Sequence, residues 1–84
     1  MKIEIYTLDY CPYCKKAIAF LNEKNLEFTQ IRIDDDEDSW FQKLAKMLNK
    51  KATDVTVPQI FIDGNQIGGY SDMMELYSQD KIFN

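Results

Sequence analysis

Polar and apolar residues alternate at the start of the chain, where "KIEIYT" sets Ile3 and Ile5 between polar neighbours and predicts a strand over residues 2–7. The period then changes. In "CPYCKKAIAFLNEK" the apolar positions Cys14, Ala17, Ile18 and Leu21 recur at i, i+3, i+4 and i+7, the stripe of an amphipathic helix. Pro12 suits a first helical position, since its missing N–H has no intrahelical partner there anyway, and this leaves Cys11 at the N-cap. "LEFTQIRI" (26–33) alternates again, and an intervening helix makes it a parallel neighbour of the first strand. After "DDDED", the run "SWFQKLAKMLNKK" carries Phe41, Leu44 and Leu48 on one face, with an acidic start and a basic end that suit the helix macrodipole. "PQIFIDGNQIGG" reads as a hairpin around Asp63-Gly64, and "SDMMELYSQ" as a short last helix capped by Ser71 or Asp72, with Met73, Met74, Leu76 and Tyr77 inward.

The predicted order is βαβαββα, an α/β fold in which helices cover both faces of a small mixed sheet. With 84 residues, 45% of them hydrophobic, there is material for one core, so residues 1–84 read as a single domain. A formal charge of −4 argues against a nucleic-acid partner, because a phosphate-backbone binder needs a basic face. No apolar run approaches the roughly 20 residues of a membrane span, and no basic-then-apolar leader opens the chain, so the expected location is the cytoplasm.

The candidate chemistry lies in the two cysteines. A bridge enclosing two residues confers little chain-entropy stabilisation, so Cys11 and Cys14 are poor structural staples. With no histidine and no third cysteine, the chain cannot complete a Cys/His zinc site alone. A C-x-x-C that follows a strand and opens a helix reads instead as a thiol–disulfide redox site. The unpaired N–H groups and partial positive charge of a helix N-terminus favour a thiolate, moving a thiol from about 8.5 toward the range of roughly 3.5 to 7.5. By position Cys11 is presented at the helix mouth as nucleophile, while Cys14 lies on the core-facing stripe. A mixed disulfide on Cys11 is then cleared either by Cys14, leaving an intramolecular bridge, or by an outside thiol. Lys15 and Lys16 either assist the thiolate or are simply solvated, and Asp9 opposes ionisation of its neighbour.

Elsewhere the signals are structural. "DDDED" lacks the Gly and Glu of a calcium loop and reads as a solvated turn, and Trp40, Phe41 and Met47 read as core and rim.

Taken in order, "CPYC", "TVPQIFIDG" and "GGYSD" resemble a glutaredoxin of the small bacterial dithiol class, from Lys2 to about Tyr77. The resemblance implies the glutaredoxin variant of the thioredoxin fold: a four-stranded mixed sheet, its last hairpin antiparallel, flanked by three helices. It implies glutathione as reducing co-substrate, with no tightly bound cofactor and no metal, and disulfide-containing or glutathionylated proteins as partners of a monomer. Cys11 and Cys14 form the redox-active disulfide, and Tyr13 walls the glutathione groove. Pro58 is expected to be cis, turning the main chain of Val57 toward the tripeptide beside Thr56. Gly69 gives room, the N–H groups of Ser71 and Asp72 hold the γ-glutamyl carboxylate, and the Asp72 side chain takes its amino group. One departure is Leu8, where many members carry a Lys or Arg for the glycine carboxylate; Lys15, Gln42 and Lys46 are candidate replacements. Two further readings share the motif. One is a redoxin recharged by thioredoxin reductase and serving ribonucleotide reductase. The other is a dimer sharing an iron–sulfur cluster through Cys11 and glutathione, which Pro12 is expected to disfavour.

Overall fold

The computed structural model describes residues 1–79. Its strands are β1 (Ile3–Thr7), β2 (Thr29–Arg32), β3 (Gln59–Ile62) and β4 (Asn65–Gly68), and its helices α1 (Pro12–Glu23), α2 (Glu37–Leu48) and α3 (Tyr70–Ser78). The order βαβαββα is the one that the periodicity predicts. The sheet runs β2-β1-β3-β4, with β1 parallel to β2 and antiparallel to β3, and β3 antiparallel to β4.

The central strands explain the packing. Ile3 and Ile5 of β1, with Ile60 and Ile62 of β3, point to one face, where Ala17, Phe20 and Leu21 of α1 and Met73 of α3 close over them. Phe61 points to the other, against Leu44 and Ala45 of α2, Ile33, Val55 and Leu8. Each fully buried Ile or Leu contributes about 1.5–3 kcal/mol relative to exposure, so these layers carry most of the driving force. β3 is buried at every position because it is central and covered on both faces, whereas β2 is an edge strand with a mostly exposed pattern.

Several boundaries differ from the sequence reading. β2 starts at Thr29 rather than Leu26, because the Leu26 N–H is drawn to the Leu21 carbonyl at the end of α1 and Leu26 packs on the core from outside the ladder. The core stripe of α1 includes Phe20, while Ile18 is only partly buried. The acidic run forms a short 3-10 turn at Asp34–Asp36, and α2 begins at Glu37 with the Asp36 carboxylate accepting the Ser39 N–H at 3.4 Å. That helix stops at Asn49, whose left-handed φ of 55° ends it before Lys50 and Lys51. Met47 lies on the exposed side of α2, a correction to its expected place at the core rim. The β3–β4 turn follows the expected Asp63-Gly64 pair, both at positive φ.

Candidate active site

Cys11 is the N-cap of α1 and Pro12 its first residue, as the motif predicts. The chain reaches this point through a tight turn in which the Cys11 N–H donates to the Leu8 carbonyl at 3.2 Å. Cys11 itself is extended (φ −88°, ψ 111°), which turns its side chain back over the helix end, where Sγ accepts the Cys14 N–H at 3.2 Å. One of the orphan donors of the helix is thereby spent on sulfur, the arrangement that favours negative charge there. Both thiols are free. Cys11 is 8% exposed and Cys14 1%, so the outer sulfur is less open than its position at a helix mouth suggests, with Val57 lying against it.

Cys14 faces the α2-side core. Its thiol is pushed up to about 12, first by burial and next by its hydrogen bond with Cys11; a backbone hydrogen bond with Leu8 works the other way, and the charges of Cys11 and Asp34 add to the rise. Cys14 therefore keeps its proton at neutral pH, and burial sets the two sulfurs apart chemically.

The second wall is the Val57–Pro58 segment, whose peptide bond is cis. The Val57 carbonyl accepts the Cys11 thiol at 3.6 Å. Pro58 is buried, and Gln59 fixes the approach to it: its amide donates to the Thr56 carbonyl at 2.8 Å while its oxygen accepts from Gln66 at 3.4 Å. Gln59 is buried, so these bonds satisfy polar atoms that would otherwise be costly.

A groove of about 430 Å³ runs along this segment, lined by Tyr13, Thr56, Val57, Pro58, Gly69, Tyr70 and Ser71. Tyr13 forms the outer wall, 57% exposed, its ring 6.1 Å from that of Tyr70 and capped by the Lys16 ammonium at 5.0 Å. Six of the positions that resemblance assigned to glutathione thus line one groove.

The seventh, Asp72, does something else. The cap of α3 falls two residues before the earlier of its expected positions, with Gly69 as N-cap and Tyr70 first, so neither Ser71 nor Asp72 is the cap. Asp72 is the third residue and reaches back, its Oδ2 accepting the Gly69 N–H at 2.9 Å. The first backbone bond of the helix is from Met73 to the Gly69 carbonyl, which leaves the N–H groups of Tyr70, Ser71 and Asp72 without intrahelical acceptors at the groove's end. Gly68 makes this cap possible: its φ is +119°, and a Cβ there would stand 2.4 Å from Asp72 Oδ2. At Gly69 a Cβ would meet only ordinary contact, 3.6 Å from the Pro58 carbonyl.

On the opposite side, Leu8 is buried in the α2-side core and offers no cation. Lys15, Gln42 and Lys46 are exposed, and the groove lining includes none of them. The turn before Cys11 is instead tethered outward. Arg32 at the end of β2 pairs with the Asp9 carboxylate, the Asp9 N–H donates to Asp34 Oδ2 at 2.8 Å, and the Tyr10 hydroxyl donates to Glu37 Oε1 at 2.8 Å, which raises its pKa. Sequence reasoning missed Tyr70, which stands at a helix start beside two glycines, and Gln59, whose role depends on the Thr56 carbonyl.

An outer thiol held at a helix N-terminus, a shielded inner one and an adjacent groove are the parts needed for thiol–disulfide exchange. Comparison with known proteins agrees. The glutaredoxin family profile matches residues 3–67. The chain is 40% identical over 81 residues to a probable glutaredoxin of Synechocystis sp., covering 96% of this chain and 88% of that protein. It is 42% identical over 74 residues to glutaredoxin 3 of Escherichia coli, covering 88% and 83%. Among solved structures, glutaredoxin 1 of Francisella tularensis, complexed with cacodylate, is similar with a TM-score of 0.79 at 32% identity, covering 94% of each chain. A buckwheat glutaredoxin–glutathione complex is similar with a TM-score of 0.80 at 25% identity, covering 95% of this chain and 71% of that one.

Proposed function

The chain belongs to the glutaredoxin family of thiol–disulfide oxidoreductases, and from that premise we propose that it uses glutathione to reduce protein disulfides and glutathione–protein mixed disulfides through Cys11 and Cys14. The observation that carries the reading is the groove joining Val57 to the start of α3 beside the Cys11 sulfur. A tripeptide laid along it has its cysteinyl sulfur at Cys11, its cysteinyl backbone at Val57, and its γ-glutamyl carboxylate at the unpaired N–H groups of Ser71 and Asp72, where the helix dipole favours an anion. The Asp72 carboxylate keeps one oxygen on Gly69 and offers the other to the γ-glutamyl amino group. A buckwheat glutaredoxin of similar fold was solved with glutathione, which supports this choice of thiol.

In the reaction, the Cys11 thiolate attacks one sulfur of the target disulfide; a bond forms between the two sulfurs, the target bond breaks, and the second target sulfur departs as a thiolate that takes up a proton. A Cys11–glutathione disulfide is resolved by a second glutathione thiolate, which attacks the glutathione sulfur, releasing oxidised glutathione and Cys11. A mixed disulfide with a protein is resolved by Cys14, which gives up its proton as its sulfur attacks that of Cys11; the departing protein sulfur takes a proton up as a thiol, and the Cys11–Cys14 bridge is left for two glutathiones to reduce. A thiolate cannot donate a hydrogen bond, so ionisation of Cys11 also frees the Val57 carbonyl to accept the cysteinyl N–H of glutathione. The reading places the protein as a monomer in the cytoplasm, where a reducing glutathione pool is available.

The test is turnover of a glutathione–peptide mixed disulfide coupled to NADPH, with glutathione and glutathione reductase in one arm and thioredoxin reductase in the other. Turnover in the first arm is expected. Activity in the second arm alone overturns the assignment of glutathione.

A further inference from the structure

We propose that Arg32 is a positioning residue for Cys11, offsetting the Asp9 carboxylate and holding the Leu8–Cys11 turn from which the nucleophile enters α1. The inference rests on Cys11 being the nucleophile. Asp9 and Tyr10 are the two corners of that turn, closed by the Cys11 N–H on the Leu8 carbonyl. A carboxylate at the first corner, two residues from the sulfur, opposes formation of a thiolate. Arg32 answers it from a different element, the last residue of β2, with its guanidinium on Asp9 Oδ1. The pairing raises the Arg32 pKa further, first through the hydrogen bond to Asp9, so the cation is permanent.

The other charged and titratable groups about the turn do not duplicate this. Asp34, from the turn after β2, accepts the Asp9 N–H, and Glu37 accepts the Tyr10 hydroxyl; both carboxylates add negative charge. On α1 stand Cys14, protonated, and Lys15 and Lys16, the latter over the Tyr13 ring. The Thr56–Pro58 segment brings no ionisable side chain, and on α3 the Asp72 carboxylate is turned to Gly69. Among the described residues, Arg32 is therefore the cation in contact with the negative turn. Removing it leaves Asp9, Asp34 and Glu37 around the turn with their charge less compensated.

Both side chains of the pair are more than half exposed, at 61% and 56%, so the effect is solvent-screened and modest. Iodoacetamide alkylation of Cys11, located by mass spectrometry and followed across pH at low and high salt, measures it in Arg32→Gln, Asp9→Asn, the double variant and Arg32→Lys. At neutral pH and low salt Arg32→Gln should react about twofold more slowly, with its pH–rate profile displaced to the alkaline side. The double variant should return to the wild-type rate, Arg32→Lys should retain it, and high salt should erase the difference. An Arg32→Gln profile that superimposes on wild type overturns the proposal. So does a double variant as slow as Arg32→Gln alone, since the loss is then not one of charge. Labelling chiefly at Cys14 would instead remove the nucleophile assignment, a separate failure.

Discussion

Cys11 and Cys14 stand three positions apart on one helix end and are both buried, yet one caps the helix and the other packs within it. Pro12 places the helix start so that one sulfur caps it, and the 3.6-residue period turns the other into the core. Both consequences were legible in "CPYC" because they follow from local geometry. Replacing Cys14 by Ser should spare turnover of glutathione mixed disulfides and abolish most reduction of protein disulfides, measured on the two substrates in parallel; replacing Cys11 should end both. The buried thiol also has a signature in stability. Its pKa rises from 9.0 in the unfolded reference to about 12 in the fold, so above about 9 the unfolded chain loses a proton that the native state keeps. Stability from this group is full below about 9 and is lost as pH rises toward about 12. Urea midpoints over that range should fall less steeply for Cys14→Ala than for wild type. Tyr70 and Gln59 were not legible, since each acts through a partner that only the tertiary fold brings near, Tyr13 in one case and the Thr56 carbonyl in the other.

At the scale of elements, the four strands and three α-helices were legible from periodicity, the Asp63-Gly64 turn and the cap candidates of the last helix, and the errors among them fell at their ends. α3 shows why. "GGYSD" offers Ser71 and Asp72 as conventional caps, but the chain places Gly69 at the cap, and Asp72 reaches back to accept the Gly69 N–H while the first-turn N–H groups stay open. The choice depends on Gly68, whose positive φ and lack of a Cβ leave room for that carboxylate, and positive φ cannot be read from a glycine's identity alone. Asp72→Ala should cost about 1 kcal/mol of stability by denaturant titration, as lost caps do. The same change should raise the KM for glutathione more than it lowers kcat, because it removes the contact proposed for the γ-glutamyl amino group. Gly68→Ala should be more harmful still, combining a left-handed backbone with a displaced cap. β2 was overextended in the reading because Leu26 and Phe28 alternate like strand residues while serving the α1 cap and the core margin.

For the whole molecule, two apolar layers on either side of one sheet hold a domain whose total stability, by its size, is of order 5–10 kcal/mol. Ile5 is wholly buried in the middle of β1, so Ile5→Ala should cost roughly 2–5 kcal/mol in urea unfolding, yet leave turnover per folded molecule near wild type because it touches the α1–α3 layer away from the sulfurs. The layer rule made this architecture predictable from binary patterning, whereas the outward tethers of Asp9 and Tyr10 depend on side chains meeting across sequence separations of 23 to 27 residues, which no local pattern encodes. Cys14 is itself a member of the α2-side layer, packed in the same cluster as Ile33, Leu44 and Phe61. The oxidising power of the pair is consequently not a property of two sulfurs in isolation. In a thermodynamic cycle, any difference in how well that layer accommodates the bridged and the open forms must reappear as a shift in electrochemical midpoint, so the packing beneath α2 enters the voltage of the Cys11/Cys14 couple.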